Sequence, residues 1–137
     1  MTDNQGRTID YLRISVTDRC NLRCVYCMPE EGLEMTSHEE VLTYGEIVRI
    51  CKIMAGTGLK KIKLTGGEPL VRKDLPKLAG RLKAIPGIEK VTLTTNGILL
   101  GQLMEELHDA GIDSINISLD TLDRELYAQI TRRDQLD

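Results

Sequence analysis

Cys20, Cys24 and Cys27 stand in a C-x3-C-x2-C spacing within Cys20-Asn21-Leu22-Arg23-Cys24-Val25-Tyr26-Cys27. Three thiolates on one short loop can wrap a metal centre, and thiolates select iron–sulfur clusters, zinc or copper(I). A structural zinc site wants four ligands, usually in paired spacing. The fourth cysteine, Cys51, falls on the apolar stripe of a helical pattern and reads as a small buried hydrophobe. His108 lies mid-helix and reads as solvated or packed; His38 stands beside Glu39 and Glu40 and reads as exposed. Neither offers a matched zinc pair. The loop therefore supplies three ligands and no evident fourth. A cubane needs a ligand at every iron, so one iron would stay open to an outside ligand, which suits chemistry better than scaffolding. A structural or electron-transfer cluster completed by an unseen group, or a zinc module, remains the bland alternative.

A second motif, Thr65-Gly66-Gly67-Glu68-Pro69-Leu70, ends a strand-like run. Paired glycines there let backbone approach a ligand and present N–H and C=O groups. Pro69 biases Glu68 toward an extended conformation. An ordinary βα turn would read the same way. Thr94-Thr95-Asn96-Gly97 and Asn116-Ile117-Ser118-Leu119-Asp120 are polar strand ends of the same kind, and Asn96-Gly97 alone is a turn signal.

The elements that must position these groups repeat as four βα units. Strand-like runs are expected at Tyr11–Thr17, Lys60–Thr65, Lys90–Thr95 and Asp113–Leu119. The first helical pattern sets Ile47, Ile50, Cys51 and Met54 on one face, opened by a capping box of Thr43 and Glu46. The second sets Leu75, Leu78, Ala79 and Leu82 together behind Asp74 as N-cap. The third groups Leu100, Leu103, Met104 and Leu107 and stops at Gly111. A fourth, less defined, spans the region of Asp123–Thr131. Strands alternating with helices imply a parallel sheet with right-handed crossovers.

Buried parallel strands normally read as continuous apolar runs, but these alternate. Leu12, Ile14 and Val16 interleave with Arg13, Ser15 and Thr17; Ile62 and Leu64 with Lys61, Lys63 and Thr65; Val91 and Leu93 with Thr92 and Thr94; Ile115, Ile117 and Leu119 with Ser114, Asn116 and Ser118. The apolar face is expected against the helices. The polar face suits a cavity holding a polar ligand; an open, solvated sheet face is the alternative.

The 137 residues suggest one domain, 41% hydrophobic and 28% charged. A net charge of −3 argues against chain-wide affinity for nucleic acid or anionic membrane. No apolar run approaches the roughly 20 residues of a membrane span, and the polar N-terminus lacks a secretory core. A cytoplasmic location with reduced thiols is expected.

The cysteine motif, with Tyr26 before its last cysteine, resembles that of the radical SAM superfamily. The resemblance implies a [4Fe–4S] cluster whose open iron is chelated by S-adenosylmethionine (SAM), and one-electron cleavage of SAM to a 5′-deoxyadenosyl radical and methionine. It also implies a partial (βα) barrel of the TIM type, of which four units are present. The finer resemblance is to the GTP 3′,8-cyclases of molybdenum-cofactor (molybdopterin) biosynthesis, lyases that form (8S)-3′,8-cyclo-7,8-dihydroguanosine 5′-triphosphate. It rests on Tyr11–Cys20, Cys27-Met28-Pro29, Lys63–Leu70, Leu93–Gly97 and Asn116–Asp120. Carried over by position, Cys20, Cys24 and Cys27 bind the cluster, Tyr26, Gly67 and Ser118 contact SAM, and Arg13, Lys63 and Thr94 contact GTP. No catalytic residue is implied beyond the cluster and SAM ligands. Lys63 stands where an arginine is expected in many relatives, which keeps the charge but loses bidentate phosphate geometry.

The same resemblance implies a reductant such as flavodoxin or ferredoxin, and a homodimer among the arrangements open to a full-length protein. Residues 1–137 correspond to the N-terminal part of a radical SAM core domain. The rest of the barrel and a C-terminal domain with a second three-cysteine cluster are expected to lie outside this chain. The last strand is then expected to present an unpaired edge, and the chain alone to lack full cyclase activity. A radical SAM enzyme that matures a peptide is the competing enzymatic reading.

Overall fold

A computed structural model describes residues 2, 4–32, 37 and 40–136; His38, read above as exposed, lies outside them. Four parallel strands form one sheet in the order β1-β2-β3-β4: β1 Tyr11–Ser15, β2 Lys61–Thr65, β3 Lys90–Thr95 and β4 Ser114–Ile117. Between and after them run α1 Tyr44–Ala55, α2 Leu75–Lys83, α3 Leu100–Asp109 and α4 Arg124–Thr131. The alternating βα pattern is thus realised as an α/β fold with consecutive parallel neighbours.

The strand alternation sorts the two faces. Val16, Ile62, Leu64, Val91 and Leu93 are buried in one core with Ile47, Cys51, Leu75, Leu78, Leu82 and Leu107 of the helices. Burial pushes the Cys51 thiol up to about 11, so it stays a neutral packing group. On the other face, pairing aligns Arg13 with Lys63, Lys63 with Thr92 and Thr92 with Ser114. Thr94 aligns with Asn116 two residues further on. Paired residues share a face, so the polar rows form one continuous surface.

Helix ends follow local chemistry. Thr43 Oγ1 accepts the Glu46 N–H, and Glu46 Oε2 accepts the Thr43 N–H at 2.7 Å, which completes the expected capping box. Gly111 adopts φ +79°; its N–H reaches His108 O and the Ile112 N–H reaches Leu107 O, a Schellman stop for α3. Asp123 Oδ1 accepts the Leu126 N–H at 2.8 Å and starts α4.

Three expectations are corrected. Asp74 occupies the N-cap position of α2 but at φ 60°, with no side-chain cap bond; its carboxylate pairs with Lys77 Nζ at 2.7 Å instead. α1 buries Ile47, Val48 and Cys51, while Ile50 is 41% exposed. In α3 Met104 is exposed beside buried Leu100 and Leu107. Both helices dock slightly rotated from the face a strict i, i+3, i+4, i+7 count selects. β4 forms one edge of the sheet, and its last residue, Ile117, is 56% exposed, as the reading of an unpaired edge anticipates.

Candidate active site

The strand ends converge on one rim. After β1 the chain keeps pairing with the segment that follows β2: Val16 N–H donates to Thr65 O, Gly67 N–H to Thr17 O and Glu68 N–H to Arg19 O, each at 2.8 Å. A Cβ on Gly66 would sit 2.5 Å from Thr17 O, and one on Gly67 2.3 Å from Arg19 O. The two glycines therefore admit the backbone that leads into the cysteine loop. Their expected role of exposing free N–H groups to a ligand is revised at Gly67, whose N–H is already engaged.

Glu68, 1% exposed, is a buried hub. Oε1 accepts Leu70 N–H at 3.0 Å and the Thr95 hydroxyl at 2.7 Å, and Oε2 accepts Asn96 N–H at 2.7 Å. Asn96 in turn donates Nδ2–H to Asn21 Oδ1 at 2.7 Å. One unbroken chain of hydrogen bonds thus runs from the glycine motif through the end of β3 into the cysteine loop.

The loop is held from its other side by α4. Arg23 N–H donates to Thr131 O at 3.0 Å and Val25 N–H to Ile130 O at 2.9 Å. These are last-turn carbonyls that a helix otherwise leaves without partners. Tyr26 donates its hydroxyl to Asp120 Oδ2 at 2.8 Å, which links the loop to the segment after β4. That carboxylate, with some burial, holds the Tyr26 phenol well above its ordinary value.

Between these elements lies a cleft of about 270 Å³. Cys20, Cys24, Cys27, Tyr26, Gly67, Ser118, Arg13 and Thr94 all line it. Lys63 is not among its lining residues; it lies opposite Arg13 on the polar face, one pleat short of the strand end. Asp120, Tyr127 and Thr131 complete the wall. Asp120 belongs to a segment the sequence marks as polar. Tyr127 and Thr131 carry no signal beyond helical spacing.

Burial raises the Cys20 and Cys24 thiols; a hydrogen bond from Leu22 N–H offsets part of the effect at Cys20, and the Tyr26 hydroxyl part of it at Cys24. Metal ligation must displace those protons. Among the described residues, no three His, Cys, Asp or Glu side chains are drawn close enough to hold a single ion. The donor set nevertheless fits an iron–sulfur cluster, because three thiols share one cleft wall and cluster irons take one thiolate each.

The radical SAM superfamily profile matches residues 14–137. A GTP 3′,8-cyclase of Moorella thermoacetica is 54% identical over 133 residues, covering 97% of this chain and 41% of that protein. The one of Pelotomaculum thermopropionicum is 57% identical over 132 residues, covering 96% and 41%. Molybdenum cofactor biosynthesis protein 1 of Drosophila melanogaster is 50% identical over 133 residues, covering 97% and 24%. The chain therefore spans about two fifths of the length of the cyclases it matches. Among solved structures, SuiB of Streptococcus suis bound to S-adenosylmethionine superposes with a TM-score of 0.71 at 24% identity, over 92% of this chain and 27% of that one. BtrN in complex with AdoMet and 2-DOIA superposes at 0.60 and 21%, over 81% and 46%. These two likenesses show the shared partial-barrel fold. Since the matched span takes in the cysteine loop, the glycine motif and all four helices, the chain belongs to the radical SAM superfamily.

Proposed function

We propose that this chain is the N-terminal part of a GTP 3′,8-cyclase of molybdenum-cofactor biosynthesis, holding a [4Fe–4S] cluster on Cys20, Cys24 and Cys27. The observation that carries the reading is the 50–57% identity to such enzymes and to molybdenum cofactor biosynthesis protein 1 across nearly the whole chain. SuiB is also solved bound to precursor peptide SuiA, but at 24% identity that likeness is one of fold and carries no peptide substrate over to this chain.

When bound, the cluster supplies the electron that splits SAM into methionine and a 5′-deoxyadenosyl radical. The chain's own residues bind and orient. Gly67 and Ser118 stand on the cleft wall with Tyr26, where they would meet SAM. Tyr26 is fixed by Asp120, so its ring is set before any ligand arrives. Arg13 and Thr94 would meet GTP from the polar face; Lys63, paired with Arg13 on the neighbouring strand, would add charge to that face without lining the cleft. A low-potential donor such as flavodoxin or ferredoxin would supply the electron. Among the described residues no helix is long and apolar enough to cross a membrane, and a cytoplasmic setting suits reduced thiols.

Anaerobic reconstitution with iron and sulfide tests the metal assignment. About four irons and four sulfides per chain are expected, by the stoichiometry of a cubane. Zinc bound without sulfide overturns the proposal.

A further inference from the structure

Two guanidinium groups grip the backbone of the cysteine loop. Arg23 Nη1 donates to Cys20 O at 2.7 Å and to Leu22 O at 2.9 Å. Arg132 Nη1 donates to Arg23 O at 3.1 Å and to Met28 O at 3.0 Å. Four carbonyls of a nine-residue stretch, residues 20–28, are thus held by two fixed cations. Each bonded carbonyl lies at a cysteine or within two residues of one.

The supporting geometry is specific. Arg132 directly follows α4 and takes a left-handed backbone, φ 54°, a conformation uncommon for a residue with a side chain. That turn sends the chain back toward the loop just where the Thr131 and Ile130 carbonyls accept loop N–H groups. Arg124 and Asp134, paired at 2.8 Å, brace the segment on both sides of the turn. Gly32, at φ +91°, lies against Arg23: a Cβ there would be 3.4 Å from Arg23 Nε. The loop is therefore clamped from within by Arg23 and from α4 by Arg132.

We propose that Arg23 and Arg132 are positioning residues for the three-thiolate loop, preorganising its backbone and placing two permanent positive charges beside the metal site. The proposal rests on the cluster assignment above. Charge-assisted hydrogen bonds are about twice as strong as neutral ones, and arginine keeps its charge at all working pH values. A fixed cation near a cluster favours its more negative, reduced form. The role ties the fourth βα unit to the first, through partners more than a hundred residues apart in sequence.

Hydrogen exchange on the metal-free chain, followed by potentiometry on the reconstituted chain, tests it. Arg132→Ala is expected to speed exchange at the Arg23, Val25, Cys27 and Met28 amides roughly tenfold, as for an opening cost of one charged hydrogen bond. The amides of α1 and α2 should be unchanged. The cluster potential should move to more negative values. Arg132→Lys, which keeps the charge but not the fork, should give an intermediate exchange rate and a near-normal potential. If Arg132→Ala loosens the whole domain, the lysine variant decides alone, and wild-type exchange in it overturns the proposal. Exchange within twofold of wild type in Arg132→Ala also overturns it. A wild-type chain that takes up no iron and sulfide instead removes the cluster assignment and leaves the exchange result standing.

Discussion

Asn96 Nδ2 lies 2.7 Å from Asn21 Oδ1, joining the end of the third strand to the residue after the first cysteine. Asn96 is itself fixed by Glu68 through its backbone N–H, and by an Asx turn in which its Oδ1 accepts Ile98 N–H at 3.1 Å. The side-chain amide is thereby aimed, and the cysteine loop is docked on a rigid strand end.

Asn96→Ala should cost about 1 kcal/mol of stability, the net worth of a part-buried hydrogen bond, and should lower iron retention after reconstitution. Urea unfolding and iron quantification check this. Asn21→Ala removes the same bond, so the double variant should cost little more than either single one.

Glu68→Ala should be far more damaging. It strips partners from Leu70 N–H, the buried Thr95 hydroxyl and Asn96 N–H together. A loss of roughly 3 kcal/mol or more is expected from buried polar groups left unpaired. Thermal unfolding reads it directly.

The glycines separate into two classes. Gly67→Ala forces a Cβ to 2.3 Å from Arg19 O, so the turn or the cysteine loop must move; loss of iron uptake and a clear drop in melting temperature are expected. Gly101→Ala, at an exposed position of α3 with nothing within 4 Å of the added atom, should stabilise by about 0.5–1 kcal/mol through helix propensity and a less flexible unfolded chain. Parallel melts of the two variants give shifts of opposite sign.

Asp113 gives a defined pH response. Burial raises its pKa, but Lys83 Nζ at 2.7 Å and Val91 N–H at 2.7 Å outweigh that and hold the carboxyl below its ordinary range. A lowered folded-state value means stability is present above the unfolded pKa of about 4 and is lost as pH falls through the folded one. Asp113→Asn should flatten the acid limb of a stability–pH curve below about pH 4, with little change in its slope near neutrality.

Lys63→Ala should weaken GTP binding while sparing SAM cleavage. The side chain lies opposite Arg13 on the polar face and outside the lining of the cysteine cleft. Calorimetry with GTP, on a chain extended to the length of the relatives, checks it; unchanged affinity removes Lys63 from the site.

Much of this arrangement was legible in the residues. Period-two alternation identifies the polar face, and β3 begins and ends where its pattern does, at Lys90 and Thr95. β1 ends at Ser15 rather than Thr17: the chain keeps pairing past it, but Thr17 O accepts from Gly67 N–H in the glycine turn rather than from a strand residue. Glu68 and Asn96 stand in recognisable motifs, yet their hydrogen bonds to Thr95 and Asn21 depend on how three loops dock, which no local pattern encodes. Arg132 is the extreme case. Its partners are Arg23 and Met28, and only the folded return of α4 brings them together. Ile50 and Met104 show the limit of helical counting, since small rotations in docking decide which edge of a stripe stays wet.

The central claim, that three thiolates on one cleft wall hold a cluster that cleaves SAM, meets its most direct test in one assay. The reconstituted chain is mixed anaerobically with SAM and dithionite, and 5′-deoxyadenosine is quantified beside Cys24→Ala. The wild-type chain should form it and the variant should not. Equal yields from both, or none from a wild-type chain loaded with iron and sulfide, would contradict the account.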